Sequence, residues 1–323
     1  MIYIPEERVK RSISIKTVLP ILRQAYEDSA DGQTYAGGRI IMPIRGEENT
    51  GQWLVANCLN APYFGAKFSS AFPGNAHKGI PSTLSQTSIY STETGELIAV
   101  VEANYLTALK TGGSAAIATE LMARKDSSRL GIIGSGLQAF SQVLAIQEVR
   151  RLTEVHVYGL DSARLSDFIR RIEEIKNRPY SVIAAKSAEA CVSASDILCT
   201  CTTSHTPVFD GAALMPGTHI NAIGSYTPFM QEIDQKTVAK AARIMTEDVD
   251  GLWSVAGDIL IPLENGVIGK DKVKGSIGDV LAGTIPGRVS DGEITLYESV
   301  GFCVLDIALA LAVFQMLKSA DER

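Results

Sequence analysis

A Rossmann-type doubly wound α/β sheet joined to a discontinuous, β-rich second domain is the fold class that the sequence predicts. Three observations predict it. From Leu130 to about residue 300, short apolar β-branched runs alternate with helix-length segments, the rhythm of strand–helix–strand units. Up to about residue 115 the chain instead carries alternating or β-rich runs broken by Gly, Pro and Asn, the pattern of mainly antiparallel sheet. Val300 to Leu317 is the most apolar stretch, and it reads as a buried helix returning to the first domain. The predicted boundaries are 1–115, completed by a helix over 300–323, and 116–299. A length of 323 residues suits two domains.

The elements follow in order. A helix is expected over Ser14–Ala30. Strands are expected at Arg39–Ile44, Gln52–Cys58, Phe64–Ala71, Thr83–Tyr90 and Leu97–Val101. A helix over Tyr105–Met122 carries the chain into the second domain. Leu130–Gly134 is an apolar strand ending in glycine, followed by a helix over Gln138–Arg150, a strand at Val155–Tyr158 and a helix over Ser162–Asn177. Further strands are expected at Tyr180–Ala184, Asp196–Thr202, Thr218–Gly224 and Ala242–Thr246. Continuous apolar runs such as Ile197-Leu198-Cys199 fit a parallel sheet covered on both faces.

Composition excludes several classes of function. With 46% hydrophobic and 20% charged residues the chain is an ordinary globular one. A net charge of −6 argues against a nucleic-acid partner, which needs a basic surface. The five cysteines are odd in number and form no CxxC pair, and the four histidines show no metal spacing, so neither a disulfide framework nor a metal site is expected. Asp306 and Gln315 inside the apolar C-terminal run argue against a membrane span. Met1-Ile2-Tyr3-Ile4-Pro5-Glu6-Glu7 lacks the pattern of a secretory leader, and a cytoplasmic location is expected.

The strongest local signal is Gly134-Ser135-Gly136-Leu137-Gln138-Ala139, a G-x-G-x-x-A turn between strand and helix. Gly134 permits the tight turn, Gly136 lets backbone approach a pyrophosphate, and Ala139 lets the helix sit close to the strand. The helix N-terminus then offers N–H groups to the anion. Asp161, about 20 residues beyond the glycines, either meets the adenosine ribose or caps the next helix, because the position directly after the strand is Gly159. Arg164 is compatible with a 2′-phosphate. NAD(P) is the expected cofactor, with NAD favoured. Thr202 should lie on the nicotinamide side, where strand ends meet the crevice, and Thr111 and Gly224 complete the expected cofactor set.

Three cations in the first domain sit among small or apolar neighbours: Arg39 in Gly37-Gly38-Arg39-Ile40-Ile41, Lys67 in Gly65-Ala66-Lys67-Phe68, and Lys110 in Ala108-Leu109-Lys110-Thr111-Gly112. Each is either a snorkelling surface side chain or a cation with a purpose, since an unpaired buried charge is costly. Together they point to a carboxylate-binding pocket. Hydride chemistry on an amino or imino acid needs such an anchor to hold the reacting carbon in line.

These segments, with Asn75, Gly79-Ile80-Pro81, Thr94-Gly95, Pro216-Gly217-Thr218-His219-Ile220-Asn221-Ala222-Ile223-Gly224, Gly301 and Asp306, resemble the ornithine cyclodeaminase/μ-crystallin family along nearly the whole chain. The resemblance implies a cofactor domain, a dimerising substrate domain, a homodimer, and NAD(P) chemistry at the Cα–N bond of an amino or imino acid. It implies that Arg39 and Lys67 are the substrate-carboxylate and catalytic cations. Lys110 stands where the family usually has Arg, which keeps the charge and loses the bidentate fork. Tyr226 stands where cyclodeaminases and alanine dehydrogenases have an Asp, and Phe229 where the ketimine-reductase-like members have one. A cyclodeaminase must handle a second amine, for which a carboxylate is the natural partner. Reduction of a cyclic imino acid such as Δ1-pyrroline-2-carboxylate is therefore the expected reaction. The alternatives are a cyclodeaminase or amino-acid dehydrogenase drawing on Glu232 or Asp258, and a crystallin-like binding protein without activity. Glu232 itself reads as a solvated helix residue.

Overall fold

The structure is a computed structural model that describes residues 1–45 and 49–321. It divides into two units: Met1–Lys110 with Phe302–Arg323, and Thr111–Gly301. The division falls inside one continuous helix, Asn104–Met122.

The first unit is built on a six-stranded sheet. Its strands are β1 (Ile2–Ile4), β2 (Thr34–Pro43), β3 (Thr50–Cys58), β4 (Tyr63–Ala71), β5 (Thr83–Ser91) and β6 (Leu97–Glu102), in the order β1-β6-β5-β4-β3-β2. All neighbours are antiparallel except β1, which runs parallel to β6. Three residues make β1 too short to leave an alternating pattern in the sequence. The helix Ile15–Ala30 begins at Ser14, whose capping box with Thr17 closes the first turn. It buries Val18, Leu22 and Tyr26.

The helix Cys303–Asp321 covers one face of this sheet. Gly65 leaves room for it, since a Cβ there would run into Ile307. Tyr63, two residues before on the same face, meets Phe314 edge-on at 5.9 Å between ring centroids. Val304, Leu305, Ile307, Leu309, Ala310 and Val313 are fully buried. By length and composition the segment Cys303–Ala320 is apolar enough to cross a membrane, yet its apolar residues are spent on packing within the unit.

The second unit is an eight-stranded, wholly parallel sheet. Its strands are β7 (Arg129–Ile133), β8 (Glu154–Tyr158), β9 (Ser181–Ala184), β10 (Ile197–Thr200), β11 (His219–Ala222), β12 (Arg243–Thr246), β13 (Val273–Ser276) and β14 (Thr295–Glu298). The order is β13-β12-β14-β11-β10-β7-β8-β9, so chain direction across the sheet reverses between β7 and β10. In open α/β sheets ligands sit outside the carboxyl ends at such a switch point. β10, β11 and β14 are fully buried, as strands covered on both faces must be. The helix expected over Ser162–Asn177 stops at Glu173. Asn177 adopts φ 59° and Pro179 follows, and neither continues a helix.

Candidate active site

In the second unit the glycine turn has the geometry an anion needs. Gly134 has φ 115°, outside the range of L side chains. It also backs onto the strand end after β10, where an added Cβ would stand 2.5 Å from the Cys201 carbonyl oxygen. Ser135 comes next, and Gly136 is the N-cap of the helix Leu137–Val149, with no side chain capping that helix. A Cβ built on Gly136 meets nothing within 4 Å. An uncapped helix N-terminus beside open space, at the carboxyl end of a parallel strand, fits a dinucleotide pyrophosphate. Ala139 is buried behind it, Gln138 is half-buried and Leu137 is exposed. Thr111 is half-buried on the helix Asn104–Met122. Its neighbour Gly112 packs on the helix Leu137–Val149, where a Cβ would stand 2.5 Å from Ser141 oxygen.

Asp161 Oδ1 accepts from the Ala163 and Arg164 N–H groups at 3.0 Å each, so it caps the helix Ser162–Glu173. Its Oδ2 lies 3.5 Å from Arg164 Nε.

Thr202 and Gly224 follow β10 and β11, and one side chain holds both. Glu232 Oε1 accepts from Thr202 N at 2.5 Å and Oε2 from Gly224 N at 2.6 Å. Asp258 Oδ1 in turn accepts from the backbone N–H groups of Glu232 and Ile233 at 2.7 and 2.8 Å. The expectation of a solvated helix residue at 232 is thus wrong: Glu232 is fully buried and lies in no helix. A single polar residue in a short irregular segment carries no periodic signal, so the sequence did not reveal its burial.

Two further buried acids lie in the same unit. Glu298 ends β14, and neither of its oxygens has a hydrogen-bond partner among the described residues; nor has Asp258 Oδ2. Glu247 accepts from Tyr297 Oη, Ser299 Oγ, Val300 N and Gly301 N at 2.7–3.1 Å. Burial pushes Glu298 and Asp258 well above the usual carboxylate range, and the neighbouring carboxylates add to it. Glu232 is raised by burial too, against the pull of the N–H groups it accepts. Among the described residues no three His, Cys, Asp or Glu side chains are arranged to hold a metal ion.

In the first unit the cations are brought together by an acid. Lys67, on β4, points at the covering helix and reaches Asp306 Oδ1 at 2.8 Å and Thr107 Oγ1 at 2.8 Å. Lys110 reaches Asp306 Oδ2 at 3.0 Å. All three side chains are 6% exposed. One carboxylate therefore faces two ammonium groups in a place with little water. Burial lowers the Lys67 pKa, and Lys110 adds to that against the attraction of Asp306. Asp306, although buried, is held below its usual value by the two lysines.

Arg39 lies in the same cross-strand row as Lys67, with Leu54 between them. Two strand spacings separate the two backbones, about 10 Å. Arg39 Nε and Nη1 lie 2.9 and 3.3 Å from the Gln52 amide, whose oxygen accepts both when turned toward the guanidinium. The sequence singled out all three cations and, through the family resemblance, Asp306, but not that Asp306 is the partner shared by two of them. Asp306 is an acid within an otherwise apolar helical run, and two buried lysines in want of an anion were the available signal.

The loop after β11 exposes both aromatic residues that replace acids. Tyr226 is half exposed and Phe229 is 79% exposed. Gly257 shows how tightly this loop is held, since a Cβ there would lie 2.9 Å from the Thr227 oxygen and 3.0 Å from the Pro228 oxygen.

The chain is 34% identical over 314 residues to an alanine dehydrogenase of Archaeoglobus fulgidus, covering 96% of this chain and 93% of that protein. It is 29% identical over 315 residues to a Δ1-pyrroline-2-carboxylate reductase of Bacillus cereus, covering 98% and 96%. A solved structure of the Thermococcus litoralis Δ1-pyrroline-2-carboxylate reductase, in complex with NADH and L-proline, superposes with a TM-score of 0.95 at 29% identity, covering 99% of this chain and 98% of that one. The model of the ornithine cyclodeaminase/mu-crystallin family matches residues 4–321, and the chain belongs to that family.

Proposed function

We propose that the protein is an NAD(P)H-dependent reductase of a cyclic imino acid, Δ1-pyrroline-2-carboxylate or a related ketimine, forming the L-amino acid. The observation that carries this reading is the buried Lys67–Asp306–Lys110 group. Two ammonium groups against one carboxylate leave one positive charge in excess where solvent screening is weak. A small carboxylate restores the balance.

The nicotinamide, when bound, supplies the hydride that reduces the imine carbon. Lys67 Nζ pairs with the substrate carboxylate and passes a proton to the imine nitrogen, a task its lowered pKa suits. Arg39 reaches the same carboxylate from the same face of the sheet, and Lys110 keeps Asp306 fixed and contributes the third cation. Gly134, Ser135, Gly136, Leu137, Gln138 and Ala139 hold the pyrophosphate. Asp161 Oδ2 meets the adenosine ribose, which favours NAD. Thr111, Thr202 and Gly224 border the nicotinamide side.

The loop 225–230 supports a substrate without a second amine, because its exposed side chains at 226 and 229 are aromatic. Glu232 and Asp258, the acids a cyclodeaminase would have to borrow, are fully buried and bound to backbone N–H groups. A cytoplasmic homodimer completes the proposal. The sheet face opposite the covering helix presents Ile40, Met42, Val55, Phe64 and Leu84, and Ile40 is 68% exposed. An apolar face of this kind is the ordinary signature of a self-association surface.

A panel of imino and amino acids assayed with NADH and NADPH tests the reaction. Reduction of Δ1-pyrroline-2-carboxylate should be fastest. Faster oxidation of alanine, or ammonia release from ornithine with NAD, would overturn the choice of substrate. Failure to bind either cofactor would favour a non-enzymatic ligand-binding role.

A further inference from the structure

We propose that Glu232 is a positioning residue for the nicotinamide half of the cofactor. The sheet ladder at the switch point ends with Cys201 N bonding Ile133 O at 2.8 Å and Ile223 N bonding Thr200 O at 3.0 Å. One residue further along each strand end, the N–H groups of Thr202 and Gly224 have no strand left to pair with. Both turn onto the two oxygens of the same carboxylate. Two strand ends that would otherwise diverge are tied to one planar group, which fixes the direction in which each leaves the sheet.

The tie is built from both sides. Asp258 Oδ1 holds the Glu232 and Ile233 N–H groups, so the backbone that carries the carboxylate is itself fixed. Gly224 has no room for a side chain between the two groups the tie brings together: an added Cβ would stand 2.1 Å from the Thr202 carbonyl oxygen and 2.6 Å from Glu232 Oε2. The same strand end touches the pyrophosphate turn, since the Cys201 carbonyl packs on Gly134. The adenosine half of a dinucleotide lies on the β7–β8 side of the switch and the nicotinamide half on the β10–β11 side. Glu232 acts on the second side only. Its two oxygens accept the two N–H groups at 2.5 and 2.6 Å, so neither strand end can shift without breaking a short hydrogen bond.

This proposal rests on the dinucleotide reading of the unit, so the experiment separates the two. Wild type and Glu232→Gln are titrated calorimetrically with NADH and with ADP-ribose, which lacks the nicotinamide, and both are melted. The glutamine replaces one acceptor by an NH2 group facing a peptide N–H. The variant should bind ADP-ribose within about twofold of wild type and NADH about tenfold or more weakly, as the loss of one buried hydrogen bond implies. Equal weakening of both ligands, or unchanged NADH affinity, overturns the role of Glu232. A wild type that binds ADP-ribose and NADH not at all overturns the dinucleotide reading and the proposal with it. If Glu232→Gln does not fold, Glu232→Asp, which keeps the charge and cannot span both N–H groups, is read in the same way. Failure of both variants to fold would make the residue a folding requirement and overturn the proposal.

Discussion

The two units bury charge in opposite ways. In the first, two lysines converge on one carboxylate, side chain to side chain, across a helix and a sheet. In the second, Glu232, Asp258, Glu298 and Glu247 are all buried, and three of them accept hydrogen bonds from backbone N–H groups and hydroxyls rather than from cations. The first group has a positive charge to spare, and the second has acceptors to spare. A surplus of cation in a dry place invites an anion from outside. A surplus of carboxylate oxygens instead holds peptide groups in line and retains protons. Binding chemistry and positioning chemistry thus need the same depth of burial with opposite charge balance.

Breaking the first group should have the largest effect. Asp306→Ala leaves two ammonium groups buried without their anion, and removal of one partner from a buried ion pair costs about 3–5 kcal/mol. Urea denaturation should show that loss, and a loss below about 1 kcal/mol would mean that the lysines find water or another acceptor.

The next effect is on the pH profile. In the proposed reaction Lys67 carries its proton both to bind the carboxylate and to serve the imine nitrogen. Its pKa is lowered by burial, so kcat/KM for imine reduction should fall as pH rises through that lowered value, below the ordinary lysine pKa. Asp306→Asn removes the attraction that supports the protonated form and should move this limb to still lower pH. A limb unchanged by Asp306→Asn would separate Lys67 from the pH dependence.

The smallest effect sharpens the second group. Glu298 has its folded pKa raised, so its stabilising share is fully present below the unfolded carboxylate pKa and is lost as pH rises through the folded value. Glu298→Gln abolishes that titration. Across the pH range above about 4, the variant should lose less stability with rising pH than wild type, by up to about 1.4 kcal/mol per pH unit where the group titrates. Parallel stability curves for the two proteins would show that Glu298 is not protonated in the fold.

What the sequence revealed divides along physical lines. The strand β7 and its glycine turn were legible because a tight turn and a close anion approach restrict the residue type at successive positions. Lys67 and Lys110 were legible because a cation among small and apolar residues contradicts the local pattern. Asp306 lies 239 residues from Lys67, and an ion pair at that separation leaves no local trace. The strands β1, β13 and β14 were missed: β1 has three residues, β13 is Val273-Lys274-Gly275-Ser276 with a single apolar side chain, and the apolar pair of β14 is framed by Thr295 and Glu298. Glu232 was misread because its partners are peptide groups, which every residue carries and no sequence displays. The helix Cys303–Asp321 was read correctly as packing, since two polar groups in an apolar run argue against a membrane span; Asp306 meets two lysines inside the unit.

Excess positive charge beside Lys67 is what should select a carboxylate substrate, and substrate discrimination tests this most directly. The measurement is the ratio of kcat/KM for Δ1-pyrroline-2-carboxylate to that for Δ1-pyrroline, the same ring without the carboxylate, in wild type and in Lys67→Met. A charge-assisted contact in a low-dielectric site contributes about 2–4 kcal/mol to the transition state. Wild type should therefore prefer the carboxylate by about a hundredfold or more, and Lys67→Met should lose most of that preference while folding normally. A variant that keeps the wild-type ratio would contradict the account.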